Sequence, residues 1–266
     1  LQMRLNKWLV KLNTPFAIDY FKGYWQQQQP DIVVSVVTMC NNVLWQALSE
    51  VSPDVPYVTV MIDFADQPPG FWIEPATDSY IVCGKQRAVE QARQLGVNPK
   101  RIVTTSGMVI HPDFSEASAA SLQDLEEKKV EKKKVEARKV EERTGVGLLP
   151  DCLTGLVMFG GNGADVMLSI AQALLAFGDR IQLIFLCGHN NSLMTALDKL
   201  PSTLSSDQCR LMVGYTSEVT KYMRMADFFI GKPGPGSLSE ALEMNLPVIT
   251  ERNFSTLIHE RYNADW

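Results

Sequence analysis

Short apolar runs rich in β-branched residues recur along this chain, each followed by a turn and a segment of helical composition. Asp31-Ile32-Val33-Val34-Ser35-Val36-Val37, Tyr57 to Asp63, Ser79 to Cys83 and Ile102 to Thr104 form a first series, with helical segments at Phe16 to Gln29, Asn41 to Glu50 and Gln86 to Leu95. Gly155 to Phe159, Ile181 to Cys187, Cys209 to Val213, Asp227 to Ile230 and Val248 to Thr250 form a second series, with helical segments between them. Runs that are apolar at consecutive positions suit strands covered on both faces, the setting of a parallel sheet. Helices between such strands imply right-handed βαβ crossovers, so the alternation predicts an α/β chain with two doubly wound sheets.

Between the two series the composition changes abruptly. Residues 116 to 143 hold eight acids and eight bases, and the valines at 130, 135 and 140 recur every five residues, which matches no helical face. This pattern predicts a solvated connector over residues 115–150, between a domain at 1–114 and another at 151–266. Deleting about Glu126 to Glu142 is then expected to leave the second domain folded. The alternative is a helix that lies on a membrane surface or binds a partner.

Composition excludes several classes. The chain of 266 residues carries a formal net charge of −5 and has no basic patch with interleaved aromatics, so no nucleic-acid partner is expected. Five scattered cysteines without CxxC spacing indicate neither a disulfide framework nor a zinc site. No apolar run approaches the length that spans a bilayer, which leaves peripheral membrane contact as the one expected route to a lipid surface. Residue 1 is Leu, with no visible signal peptide, and the chain reads as a fragment whose N-terminal domain is incomplete.

Two glycine-rich turns follow strands of the second series. Gly231-Lys232-Pro233-Gly234-Pro235-Gly236-Ser237 leads into a helix expected to begin near Ser237, and such a turn directs backbone N–H groups and a helix dipole at one point, where a phosphate fits. Ser237 and Glu240 also have the spacing of a capping box, a purely local role. Gly160-Gly161-Asn162-Gly163 begins like a dinucleotide fingerprint. The third glycine would fall at Val166, and Cys187-Gly188-His189-Asn190 stands where an acid is required, so a dehydrogenase is not indicated. Two such turns in one domain suit a nucleotide diphosphate.

Met158-Phe159-Gly160-Gly161-Asn162-Gly163, Leu186-Cys187-Gly188-His189-Asn190, Val213-Gly214-Tyr215, Lys232 to Leu242 and Leu246-Pro247-Val248-Ile249 occur in the order and spacing found in monogalactosyldiacylglycerol synthases. Pro30 to Val36, Pro56 to Asp63 and Gly107 to Phe114 extend the resemblance, which also takes in bacterial diacylglycerol glucosyltransferases and, more distantly, the peptidoglycan N-acetylglucosaminyl transferase. It implies a GT-B fold of two Rossmann-like domains facing a cleft, with the acceptor in the N-terminal domain and a UDP-sugar, UDP-galactose or UDP-glucose, in the C-terminal one. Carried over residue by residue, it assigns Gly234, Pro235, Gly236 and Ser237 to the donor diphosphate, with Lys232 beside them, and Glu240 to the ribose hydroxyls. Gly161, Asn162 and Gly163 face the phosphates and acceptor. His189, Asn190 and Tyr215 lie near the uracil. His259, Glu260 and Asn263 match the donor-sugar loop, with His259 where relatives carry Gln.

The resemblance further implies an inverting transfer of a hexose to a lipid acceptor such as diacylglycerol, with no cofactor, and a protein peripheral to a membrane or cytoplasmic, on a plastid membrane in a photosynthetic organism. The absence of a DxD sequence beside the donor turns points to no metal. A glycine-rich loop with a catalytic carboxylate would lie upstream of Leu1, and a family His-Pro is here Val37-Thr38. Asp63 matches a family Asp and is the remaining catalytic candidate, its alternative being a turn or helix cap; Asp66 is weaker, and His111 reads as structural. A noncatalytic UDP-sugar-binding copy and a UDP-sugar epimerase are the competing readings.

Overall fold

The computed structural model describes residues 2–74, 77–116, 125–200, 210–252 and 256–265. Two compact units divide the chain: residues 1–109 with 257–266, and residues 110–256. The boundaries expected at 114 and 150 therefore shift, and the last ten residues join the first unit.

In the first unit a helix α1 (Gln2–Gln28) precedes β1 (Val33–Ser35), α2 (Asn41–Val51), β2 (Tyr57–Val60), β3 (Tyr80–Cys83), α3 (Gln86–Gln94) and β4 (Ile102–Thr104). The four strands are parallel in the order β1-β2-β3-β4. Alternation along β2 and β3 sets one sheet face inward, and Met61, Ile81 and Cys83 pack there with Ala88, Val89 and Ala92 of α3 and with Trp72 and Ile73. Gly96, at φ +82°, ends the α3 segment, as an αL glycine after a helix should.

The second unit begins with α4 (Pro112–Glu116) and α5 (Leu125–Gly145) and continues through β5 (Leu153–Met158), α6 (Val166–Leu175), β6 (Ile181–Gly188) and α7 (Asn191–Asp198). It ends with β7 (Arg210–Gly214), α8 (Val219–Met225), β8 (Phe228–Gly231), α9 (Pro235–Glu243) and β9 (Val248–Thr250). Its five strands are parallel in the order β7-β6-β5-β8-β9. The inner strands are apolar at successive positions because both faces are covered. Val157, Leu183, Phe185 and Ile230 meet α6 and α7 on one face, while Leu156, Ile184, Leu186 and Phe229 meet α8 and α9 on the other.

The charged segment is not a solvated connector at its C-terminal end. The last turns of α5 dock on α8 and on the start of β5 through polar rather than apolar contacts. Arg143 is 3% exposed and donates to the carbonyl oxygens of Met225 (2.8 Å), Pro150 (2.8 Å) and Cys152 (3.3 Å) and to Asp227 Oδ2 (2.7 Å). Lys139 Nζ also reaches Asp227, and Arg224 Nε bonds Glu142 Oε2 at 3.0 Å. An apolar-stripe test cannot detect a helix docked by its charges. Residues 117–124 of the expected connector, and Cys209 at the expected start of β7, lie outside the described residues.

Candidate functional site

The chain runs outward from β5 through β6 to β7 and then returns to place β8 on the other side of β5. This reversal is a topological switch point, and ligands of open α/β sheets bind beyond the carboxyl ends of the strands there. Met158 of β5 is in register with Gly231 of β8, so the turns after them, at 160–163 and 232–236, emerge side by side. A Cβ placed on Gly160 would lie 3.7 Å from Lys232 Cε, so the lysine stem crosses the first turn.

Two loops interlock at this edge. The His189 N–H donates to Gly161 O at 3.0 Å, and a Cβ on Gly188, at φ +60°, would sit 1.9 Å from that same oxygen. Gly163, at φ +59°, similarly lies against Cys187 O. Glycine is required at both positions by backbone conformation and by space.

Helix α9 begins at Pro235, two residues earlier than expected near Ser237. Its N-cap is Gly234, no side chain caps it, and Ser237 Oγ turns back to Gly234 O at 3.3 Å. The expected capping box therefore does not form, because Ser237 is already inside the first turn. Proline at N1 needs no N–H partner, while the N–H groups of Gly236 and Ser237 belong to the set that a helix cannot satisfy internally. Glu240 lies on the same helix. Burial pushes its carboxyl above the ordinary value, and among the described residues it has neither a hydrogen bond nor an ion pair. Such a carboxylate pays desolvation without return unless a ligand brings donors.

The remaining donor-side candidates sit on neighbouring strand ends. The rings of His189, after β6, and Tyr215, after β7, stack at 4.3 Å with planes 13° apart, and Tyr215 is 67% exposed. The pair leaves an outer aromatic face, with Tyr215 exposed, on which a base can stack. Asn190 is the N-cap of α7: its Oδ1 accepts from Leu193 N at 2.9 Å and from Ser192 Oγ at 2.7 Å. Asn162 is exposed on the turn after β5.

The other three candidates from the donor-sugar loop, His259, Glu260 and Asn263, belong to the first unit, where Asp63 also lies. Asp63 follows β2, is 5% exposed, and accepts a 2.8 Å bond from Trp72 Nε1. Burial raises its carboxyl above the ordinary value; the indole N–H and His259 oppose that shift, and Glu260 adds to it. His259 in turn stacks on Phe71, with ring centroids 5.1 Å apart and planes at 15°. Glu260 and Asn263 are buried in the turns that carry His259.

Asp63 is therefore not a helix or turn cap; that part is taken by Asp66. Fully buried, Asp66 accepts from the N–H groups of Gly70 (2.6 Å), Phe71 (2.9 Å) and Trp72 (2.6 Å), while Gln91 bonds its backbone N–H and carbonyl. Both of its oxygens accept from the loop, which gives it a structural part there. His111 is exposed beside Asp113, at 3.3 Å, at the start of α4. Trp72 and Phe71 escaped sequence reasoning; an aromatic pair nine residues beyond an acid carries no motif. Among the described residues, no group of three or more His, Cys, Asp or Glu side chains could hold a metal ion.

Residues 2–110 match the family described as monogalactosyldiacylglycerol (MGDG) synthase. That stretch is similar to these synthases. The chain is 29% identical over 235 residues to a rice (Oryza sativa subsp. japonica) protein named "Probable monogalactosyldiacylglycerol synthase 2, chloroplastic", covering 83% of this chain and 44% of that protein. It is 25% identical over 223 residues to the processive diacylglycerol beta-glucosyltransferase of Bacillus subtilis (strain 168), covering 84% of this chain and 51% of that enzyme. The chain thus spans about half the length of the curated relatives it matches. In structure it resembles MurG of Acinetobacter baumannii, with a TM-score of 0.58 at 12% identity, covering 96% of this chain and 62% of that one. The fold is the α/β architecture of the GT-B glycosyltransferases.

Proposed function

We propose that this chain is the core of an inverting glycosyltransferase that moves a hexose from a UDP-sugar to a lipid acceptor such as diacylglycerol. The observation that carries the reading is Glu240: a carboxylate half-buried without a partner among the described residues, on the helix whose uncapped N-terminus opens at the switch point. A ribose brings two vicinal hydroxyl donors to such a group, and a diphosphate accepts from the N–H groups of Gly236 and Ser237. The uracil then lies along the His189–Tyr215 surface, with Lys232 next to the phosphates.

In the reaction the acceptor oxygen attacks the anomeric carbon, the bond from that carbon to the β-phosphate oxygen breaks, and its electron pair leaves on UDP. Charge grows on the diphosphate as the bond lengthens. Preorganised N–H groups stabilise that charge, and losing one such donor costs about 10²–10³ in rate. No resident metal or cofactor is required in this reading. The relatives' names point to galactose in one case and glucose in the other, with diacylglycerol as the acceptor. A diacylglycerol acceptor resides in a bilayer, and no helix among the described residues is long and apolar enough to cross one, so contact at the membrane surface is the proposed mode. The rice relative is named chloroplastic, which extends the proposal to a plastid membrane.

The decisive experiment incubates the protein with radiolabelled UDP-galactose or UDP-glucose and diacylglycerol-containing vesicles. A labelled lipid is the expected product. A new UDP-sugar formed without acceptor establishes an epimerase instead, and UDP binding without turnover establishes a noncatalytic binder.

A further inference from the structure

Helix α1 turns three aromatic side chains toward solvent. Phe16, Tyr20 and Tyr24 are 78%, 65% and 45% exposed, while Ala17, Phe21, Lys22 and Trp25 between them are partly covered. The covered stripe faces α2, where Lys22 reaches Glu50. A spacing of four residues sets the exposed rings in one ridge, each about 6 Å further along the axis. Two of them are braced from behind: Tyr20 packs edge-on against Phe21 with centroids 5.4 Å apart, and Tyr24 against Trp25 at 5.1 Å. Scattered surface hydrophobes are ordinary, but a contiguous ridge of large rings marks a contact surface. Asp19 is the acid beside the ridge, and Lys22 Nζ pairs with it at 3.4 Å. Residues 2–13 of the same helix carry Arg4, Lys7 and Lys11 and no acid.

We propose that this ridge is the membrane-docking face of the first unit, with Phe16, Tyr20 and Tyr24 seated in the headgroup layer of an anionic bilayer. The proposal rests on the lipid-acceptor reading and names the face of the chain that meets the lipid. Tyrosine suits that boundary, because its ring enters the apolar side while its hydroxyl stays among headgroups and water. A helix lying in the interface sinks its apolar side by about 5–10 Å, a depth that an aromatic side chain reaches. Charge selects an anionic surface: bases without neighbouring acids are drawn to anionic headgroups. Exposure rises along the ridge from Tyr24 to Phe16, so the most open ring stands nearest in sequence to those bases. The chain as a whole carries a formal charge of −5, which an anionic surface repels, so the basic segment orients the approach.

The test is sedimentation of the full chain with phosphatidylcholine vesicles, with and without phosphatidylserine, in the absence of UDP-sugar. Binding is expected to be stronger to the anionic vesicles and to weaken as salt is added. Phe16→Gln, Tyr20→Gln and Tyr24→Gln are each expected to lower the partition coefficient about tenfold, with UDP affinity by calorimetry unchanged. Unaltered partition in the triple variant overturns the proposal, and equal binding to neutral and anionic vesicles overturns the anionic bilayer as the partner. Tyr20→Trp keeps a ring in place: it is expected to bind as the wild type does and to gain fluorescence quenching from acyl chains that carry bromine. Binding without that added quenching overturns insertion of the ridge. A dimer in light scattering that Tyr20→Gln dissolves makes the ridge an interface between copies and overturns the proposal. Vesicle binding by a chain that makes no lipid product sinks the transfer reading and leaves the docking face standing. Lipid product from a triple variant that still binds vesicles as the wild type does sinks the docking face and leaves the transfer reading standing.

Discussion

At the scale of single residues, Glu240 carries the donor reading. Its capping partner is absent, so Glu240→Ala removes no hydrogen bond among the described residues. UDP affinity, read by calorimetry, is expected to fall at least tenfold, while the melting temperature stays within about 2 °C, as for a substitution that breaks no internal contact. A lower melting temperature with unchanged affinity sinks the ribose assignment. Asp66 predicts the reverse. Asp66→Ala leaves the N–H groups of Gly70 and Trp72 without their acceptor, while that of Phe71 keeps the Pro68 carbonyl, so at about 1–3 kcal/mol each the first unit is expected to lose several kcal/mol in denaturant titrations. The two glycine-rich turns after β5 and β8 were legible because turn chemistry is local, whereas the capping role that turn chemistry offered Glu240 does not form. The bond from Trp72 to Asp63 was not legible, since it depends on where a loop folds back and not on spacing.

At the scale of elements, the strands and their order of appearance were readable because consecutive apolar residues leave few alternatives to a buried parallel strand. The docking of α5 was not readable, because its contacts are ionic. Asp227 holds that junction together: burial raises its carboxyl, but Lys139, the Thr154 N–H and Arg143 outweigh burial and hold it below the ordinary range. A depressed folded-state value stabilises the fold above the unfolded carboxylate value of about 4 and ceases to do so as pH falls through the folded one. Thermal melts of the second unit should therefore decline on acidification below about pH 4, and less so in Asp227→Asn. At neutral pH that variant should cost roughly 3–5 kcal/mol by leaving Arg143 buried without its counter-ion. A pH profile identical in the two proteins contradicts the assignment.

At the scale of the whole molecule, two α/β units were legible from the repeated alternation, but their borders were not. The last ten residues join the first unit, where His259 stacks on Phe71, and sequence order gives no sign of such a return. The charged segment belongs to the second unit from Ile110 onward. Deleting 126–142, harmless for a true connector, removes Lys139 and Glu142 and displaces Arg143. The second unit is then expected to melt lower by on the order of 10 °C in calorimetry; an unchanged transition would restore the connector.

The close approach of Gly188 to Gly161 O makes the loops after β5 and β6 a single mechanical part. A methyl group at 188 cannot be admitted without moving the turn after β5, so Gly188→Ala is expected to misplace a loop it does not belong to. For anyone re-engineering this edge of the sheet, the loops after β5 and β6 are one transplantable piece. Swapped singly into another scaffold, either would arrive without the surface that gives it shape.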